Sequence, residues 1–411
     1  MTRKSLWRAR ALAWSCVLAV PLKAHALDFG GQLRLRYEGM SLSQYAPPAG
    51  RPALDQFSLR TRLGAGGSPA DGVRVFVNIQ DSRVAGSEAS VSANSKNVDL
   101  REVWLEMTGL WSLPLDLKAG RQELLYGDQR MISTLDWDPS GRSWDGVRLR
   151  WKEGPWQADF FSAITRETAG PKQDEVFTGL YATLGAAAEH ELDFYVLSRT
   201  SAAVNSGNLR ERSLGMRMKG RREAWDYSAE TACQFGSKGG KSLRAWAVAA
   251  TAGYKLNTKF NPRVGLEYDF ASGDSDPSDA TTGTFEPPYP FGHAYQGLAD
   301  VFSWKNAHDL ALRTSAAPVE GWTVALDAHQ FLLASSKDAW YGPSNAVIAR
   351  DATGSAGKNV GFELDFHVKT AVRKAVKLWF GYSRFFTGPY VARTVGGRDK
   401  DWAFFQATVD F

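Results

Sequence analysis

Residues 359–385 read NVGFELDFHVKTAVRKAVKLWFGYSRF. In the first half, Phe362, Leu364, Phe366 and Val368 alternate with Glu363, Asp365, His367 and Lys369. A period of two puts the apolar set on one face and the charged set on the other, which is the pattern of a strand and not of a helix. A brief polar connection at 370–375 leads into a second run, 376–385. The same alternation recurs upstream. Leu33, Leu35 and Tyr37 interleave with Arg34, Arg36 and Glu38, and Leu59, Thr61 and Leu63 with Arg60 and Arg62. Val73, Val75, Val77 and Ile79 interleave with Arg74, Asn78 and Gln80, and Val147, Leu149 and Trp151 with Arg148, Arg150 and Lys152. After residue 30 no long amphipathic helix is legible.

A soluble sandwich would alternate in the same way, so the connections decide. About 18 strands are expected, near 32–38, 56–63, 72–80, 98–107, 115–122, 145–152, 156–163, 176–184, 190–198, 212–219, 225–232, 244–252, 262–270, 308–315, 321–331, 359–369, 376–385 and 402–411. Every second connection is short: 64–71, 108–114, 153–155, 185–189, 220–224, 253–261, 316–320 and 370–375. The others are longer, the longest spanning 271–307. Short turns at one end and long loops at the other are the signature of an outer-membrane barrel, whereas Greek-key connections have no reason to sort this way. The expected fold class is therefore all-β, a transmembrane antiparallel β-barrel of about 18 strands. Its apolar parity faces outer-membrane lipid and its charged parity faces a wet lumen, with closure satisfying every backbone donor and acceptor. Trp111, Trp156, Trp225 and Trp322 lie beside the short turns, where an interfacial girdle belongs. Phe405, Ala407, Val409 and Phe411 share one parity at the chain end, like the terminal strand that outer-membrane assembly machinery recognises.

Composition places this barrel in a compartment. Of 411 residues 44% are hydrophobic and 23% charged, with formal net charge +5. Aromatics are too frequent for disorder, and no apolar run reaches the roughly 18 residues of a membrane helix. Arg3, Lys4, Arg8, Arg10 and Lys23 precede Leu27 without any acid among them; the rest of the chain is neutral, which removes support for nucleic-acid binding. A basic n-region, an apolar stretch from Ala11 to Val20 and small residues at Ala24 and Ala26 make 1–26 a cleaved signal peptide, leaving 27–411 as a single barrel. Cys16 falls inside that leader, so Cys233 has no partner for an internal disulfide.

Two blocks stand out: GRQELLYGDQRMISTLDWDPSGRSWDGVRL at 120–149, and the stretch from Tyr268 that opens YDFASGDSDPSDATTGTFEPPYPFGHAYQGLADVF and closes WKNAHDL at Leu310. Both resemble the alginate-export family of outer-membrane barrels, and the likeness extends over most of 28–411. The resemblance implies an 18-stranded barrel that passively exports an anionic polysaccharide such as alginate. It also makes Arg121 and Arg142 candidate pore residues. The 370–375 connection is shorter than the periplasmic gating loop it implies, although Lys369, Arg373, Lys374 and Lys377 keep that rim basic.

A polyuronate carries one carboxylate per sugar, and a guanidinium grips a carboxylate in a planar fork. A row of weak arginine contacts would hold and pass such a chain, provided no site binds too tightly. The candidate substrate-binding wall is Arg34, Arg36, Arg60, Arg62, Arg74, Arg148 and Arg150, with Arg121 and Arg142 added by resemblance. Arg121 shares the parity of Leu117 and Ala119, so it needs a bulge to turn inward. The bland alternative is a lumen ladder that pairs these arginines with Glu38, Glu102, Glu106, Asp159 or Glu267. Asp128, Asp136, Asp138 and Asp145 flank the motif arginines, and Asp193, Asp269, Asp327, Glu363 and Asp365 also point inward. A general diffusion porin for small organic solutes is therefore the main competitor, and a secreted glycan-binding module the third reading.

Other chemistry finds little support. Residues 236–242, GSKGGKS, are too short for a phosphate-binding loop and read as a flexible loop. Asp274, Asp276 and Asp279 could hold a structural calcium but lack the rest of a calcium hand, and the scattered histidines show no zinc spacing. No GxSxG occurs. No enzyme activity, cofactor or metal is expected.

Overall fold

In the computed structural model, which describes residues 27–42, 45, 53–85, 98–167, 174–185, 189–201 and 208–411, the alternating segments are strands. The expected leader lies outside the described residues. Eighteen long strands occur among those described: β1 Asp28–Met40, β2 Leu54–Ala70, β3 Val73–Val84, β4 Val98–Met107, β5 Leu115–Gln122 and β6 Trp144–Glu153. They continue with β7 Trp156–Arg166, β8 Glu175–Leu184, β9 His190–Ser201, β10 Leu209–Arg222, β11 Trp225–Lys238 and β12 Lys241–Lys255. The last six are β13 Arg263–Ala271, β14 Ala307–Ala316, β15 Trp322–Leu333, β16 Asn359–Arg373, β17 Val376–Thr387 and β18 Lys400–Asp410.

Each strand pairs antiparallel with its neighbour in sequence, and β18 returns to β1 with Gln32 opposite Asp410 and Met40 opposite Trp402. The barrel is closed, so no strand edge is left to face lipid. Side-chain exposure fixes which parity points where: Leu35 is 37% exposed and Arg36 2%. The apolar face lies outside and the charged face inside, the reverse of a soluble core. Leu63, Val77, Leu266, Leu310, Leu326 and Phe405 continue the exposed apolar band. Trp111, Trp156, Trp225 and Trp322 are exposed beside the short turns.

The strands run longer than periodicity alone suggests. At 236–242 the structure replaces the expected flexible loop with a hairpin, Lys238 opposite Lys241 across Gly239 and Gly240. Both turn glycines have positive φ, 60° and 80°, as a two-residue primed turn requires. A Cβ at either would meet nothing within 4 Å, so substitution costs backbone strain alone. Replacing both by valine should cost about 1–2 kcal/mol per residue, read as a lower urea midpoint for barrel unfolding. The β16–β17 connection shrinks to residues 374–375. In β4, Asn78 pairs with Glu102 and Ile79 with Leu100. Arg101 is the extra residue of that bulge, buried with its guanidinium 2.7 Å from Glu123.

Candidate functional site

The long loop between β5 and β6, residues 123–143, turns into the barrel instead of covering it; Leu124, Tyr126, Met131, Ile132, Ser133 and Thr134 are all buried. Its tip meets the arginine wall of β1 and β2. Arg34 and Arg60 stand directly opposite each other, an arrangement that like charges disfavour. The loop tip resolves it with carbonyl dipoles and one carboxylate. Arg34 donates to the Asp136 carbonyl at 2.5 Å and the Asp138 carbonyl at 3.1 Å. Arg36 donates to the Trp137 carbonyl at 2.7 Å and to Glu38 at 2.8 Å, and it lies 3.8 Å over the Trp137 ring. The Asp136 carboxylate bridges Arg60 at 3.0 Å and Arg62 at 2.8 Å.

The middle of the loop reaches the opposite wall. Arg130, 5% exposed, bridges Glu267 at 2.7 Å and Asp269 at 2.6 Å on β13, and stacks 3.8 Å over Tyr295. Tyr295 belongs to a second inserted loop, residues 272–306, between β13 and β14. The two loops hold each other. Ser133 donates its N–H to the Tyr289 carbonyl at 2.8 Å, Arg142 donates to the Pro290 carbonyl at 2.8 Å, and His293 stacks on Trp137 at 3.9 Å. Glu286 fastens the second loop through Lys305 at 2.5 Å, Lys238 at 2.6 Å and Arg199 at 2.9 Å. Burial alone would raise the Glu286 pKa, but those three cations outweigh it and hold the carboxyl well below its ordinary range. The Ala299 N–H donates to Glu363 at 2.9 Å, and Lys400 donates to the Ala299 carbonyl at 2.7 Å. The two distinctive sequence blocks are thus the two loops that fill the barrel.

Open space remains below them, toward the short turns. On β3–β7, Glu106 is shared by Arg148 at 3.4 Å, Arg74 at 3.5 Å and Lys118 at 3.7 Å. Asp159 receives Arg150 at 2.6 Å and Arg148 at 3.9 Å. Two carboxylates are thus shared among four cations, and Glu102, opposite Asn78, and Asp116, opposite Arg150, add acid to the same face. Arg62 and Arg74 border a cavity of about 500 Å³, and Arg150 and Lys152 one of about 350 Å³. The far wall is richer in acid: Asp193, Glu230, Asp269, Asp309, Glu363 and Asp365 are all buried on its inner face. A cavity of about 1220 Å³ there is bordered by Glu191, Arg217, Asp226, Glu267 and Arg313.

The nine arginines singled out by sequence separate into four groups. Arg34, Arg36 and Arg60 point inward but are 1–3% exposed, covered by the loop tip. Arg62, Arg74, Arg148 and Arg150 border or approach open lumen. Arg142 ties one inserted loop to the other. Arg121 is a correction: the bulge in this part of the wall falls at Arg101, so Arg121 keeps the outward parity, opposite Val103 and Asp145, and pairs with Asp145 at 2.7 Å. Sequence reasoning passed over Lys118, although it shares the parity of Arg148 and pairs with it across β5–β6. It also passed over Arg130, which stood in the quoted YGDQR motif but on no strand. Asp274, Asp276 and Asp279 accept N–H groups at residues 276, 278 and 281. Among the described residues no cluster of His, Cys, Asp or Glu is disposed to hold a metal.

A model of the alginate export family matches residues 25–404. The chain belongs to the alginate export family. No curated protein sequence matches it. Solved structures share its fold at low identity. Pseudomonas aeruginosa OccK11 (OpdR) has 12% identity and a TM-score of 0.61, over 94% of this chain and 96% of that one. Acinetobacter baumannii OccAB4 has 10% identity and a TM-score of 0.57, over 95% and 100%. P. aeruginosa OccK3 (OpdO) has 12% and 0.60, over 93% and 96%. This alginate-export barrel is a bacterial outer-membrane channel, its outer wall against lipid.

Proposed function

We propose that the channel passes an anionic saccharide, a uronate chain such as alginate or its oligomers, along the inner wall of β3–β7. The observation that carries this reading is the sharing of Glu106 and Asp159 among Arg74, Lys118, Arg148 and Arg150. Cations that share a carboxylate retain donors for a passing one, yet each is already partly engaged, so none traps it. The leader 1–26 fits delivery of the chain across the inner membrane. The β18 end, where Phe411 and Gly31 exchange backbone hydrogen bonds of 2.7 and 3.0 Å at the seam, fits recognition by the assembly machinery.

Reversal-potential measurement in planar bilayers tests the route. The folded barrel should prefer anions and be blocked by polyuronate, and converting Arg74, Lys118, Arg148 and Arg150 to glutamine should lower its anion-to-cation permeability ratio several-fold and weaken blockade. An unchanged ratio together with unchanged blockade would remove the basis for a polyanion path. The acidic far wall favours one other reading, a diffusion porin for small organic solutes. That reading expects no polyuronate block and a cation preference in the same experiment.

A further inference from the structure

On the outer face of β10–β12, near the end remote from the tryptophan girdle, three arginines point away from the lumen. Arg212 on β10 and Arg244 on β12 both pair with Phe235 of β11, and Arg210 lies one outward step beyond Arg212. All three are exposed, and among the described residues no acid lies within ion-pair distance of any of them. The contrast with other outward arginines is direct. Arg83 bridges Asp81 at 2.8 Å, Arg121 bridges Asp145 at 2.7 Å, and Arg384 bridges Asp401 at 3.2 Å. Among the described residues Arg166 is also exposed without an ion pair, but it stands singly on β7, whereas Arg210, Arg212 and Arg244 lie together on β10 and β12.

Depth fixes what these groups meet. A strand crosses the hydrocarbon in roughly 9–11 residues, so a crossing that begins at Trp225 in the girdle ends near Phe235. Leu214 and Met216, below Arg212 on the same face, are exposed as lipid-facing residues should be, and Trp246 packs on Phe270 at 4.4 Å one step below Arg244. Arg212 and Arg244 therefore stand at the upper hydrocarbon boundary, at headgroup level in the outer leaflet. Flanking one strand, they are about 10 Å apart, and Arg210 is about 7 Å from Arg212. Beside them a cavity of about 570 Å³ runs over β8 and β9, bordered by Val176, Ser198, Thr200 and Asp174.

We propose that Arg210, Arg212 and Arg244 form a docking site for the phosphate groups of an outer-leaflet glycolipid. Phosphate is the ligand that a guanidinium grips in two parallel bonds. The site faces the plane of the bilayer and not the lumen, so the source of the phosphate is a lipid headgroup and not a transported solute. The adjoining cavity offers the sugar the Ser198 and Thr200 hydroxyls and the Asp174 carboxylate as hydrogen-bond partners, and the Leu214–Met216 surface receives the acyl chains.

The full-length barrel in mild detergent, studied by native mass spectrometry with a bisphosphorylated glycolipid, its dephosphorylated form and inorganic phosphate, tests this. Wild type should bind the phosphorylated lipid at least ten-fold more tightly than the triple variant R210Q/R212Q/R244Q. The dephosphorylated lipid should bind both proteins equally weakly. The R210K/R212K/R244K variant, which keeps the charge, should retain most of the binding, and it serves as the folded reference if the glutamine protein fails to assemble: loss of lipid selectivity in R212Q alone is then the decisive reading. A variant in the paired arginines Arg83 and Arg384 should bind as wild type does. Equal affinity of the wild-type and glutamine proteins for the phosphorylated lipid overturns the proposal. So does displacement of the lipid by millimolar inorganic phosphate, which would assign the arginines to a soluble anion.

Discussion

Conversion of Arg34, Arg36 and Arg60 to glutamine is expected to raise single-channel conductance several-fold. The three guanidinium groups hold the tip of the 123–143 loop through the carbonyls of residues 136–138, at 2.5–3.1 Å. A hydrogen bond to a charged group is worth about 1.5–3 kcal/mol. Three such groups lost together would approach or exceed the roughly 5.5 kcal/mol that inverts a 1:99 equilibrium to 99:1. The wall itself should survive, because the direct opposition of Arg34 and Arg60 is relieved and the β1–β2 ladder of backbone bonds is untouched. Conductance in planar bilayers, with heat-modifiable migration as the check of folding, reads the result. A folded triple variant with wild-type conductance would show that the tip stays docked without its arginines. The outcome is distinct from that of the β3–β7 variants, where selectivity should change and pore size should not.

Arg130→Met is expected to destabilise the inserted loops more than any other single substitution. Arg130 is buried against Glu267 and Asp269, with Tyr295 covering its face. Removing one member of a buried ion pair leaves the other uncompensated, at a cost of about 3–5 kcal/mol. Arg313 still reaches Glu267 at 2.9 Å, so the Asp269 carboxylate bears most of the loss. The expected phenotype is a barrel that folds but conducts with large, noisy openings and loses its thermal transition several degrees earlier. Adding Asp269→Asn to the methionine variant removes the stranded charge, leaves Glu267 to Arg313, and should recover much of that stability. If the single variant shows quiet wild-type openings and an unshifted transition, Arg130 does not hold the plug.

How much of this was legible in the chain differs between wall and contents. Strand identity followed from alternation that persists where every second side chain meets a different solvent, as in Leu33 to Glu38 and Phe362 to Lys369. Inward orientation of Arg34, Arg62 and Asp365 followed from the same parity. Strand ends did not, because above and below the membrane both faces are wet and alternation fades; hence the extension of β11 and β12 to the Gly239–Gly240 turn. Arg121 shows the limit of motif likeness. Its place in a family-like block suggested the pore, whereas its parity, which the structure follows, put it outside.

The sequence by itself determined a closed membrane wall, because hydrocarbon leaves unpaired backbone groups no partner and the two-residue period then assigns each side chain to lipid or lumen. Only the tertiary structure decided what occupies that lumen. Arg34 and Asp136, or Arg130 and Asp269, are far apart in the chain and belong to no common period; they meet only because closure brings β1, β13 and an inward-turning loop to one place. An inward-pointing arginine reads the same in sequence whether it faces water or a carbonyl oxygen, since parity carries direction and not distance.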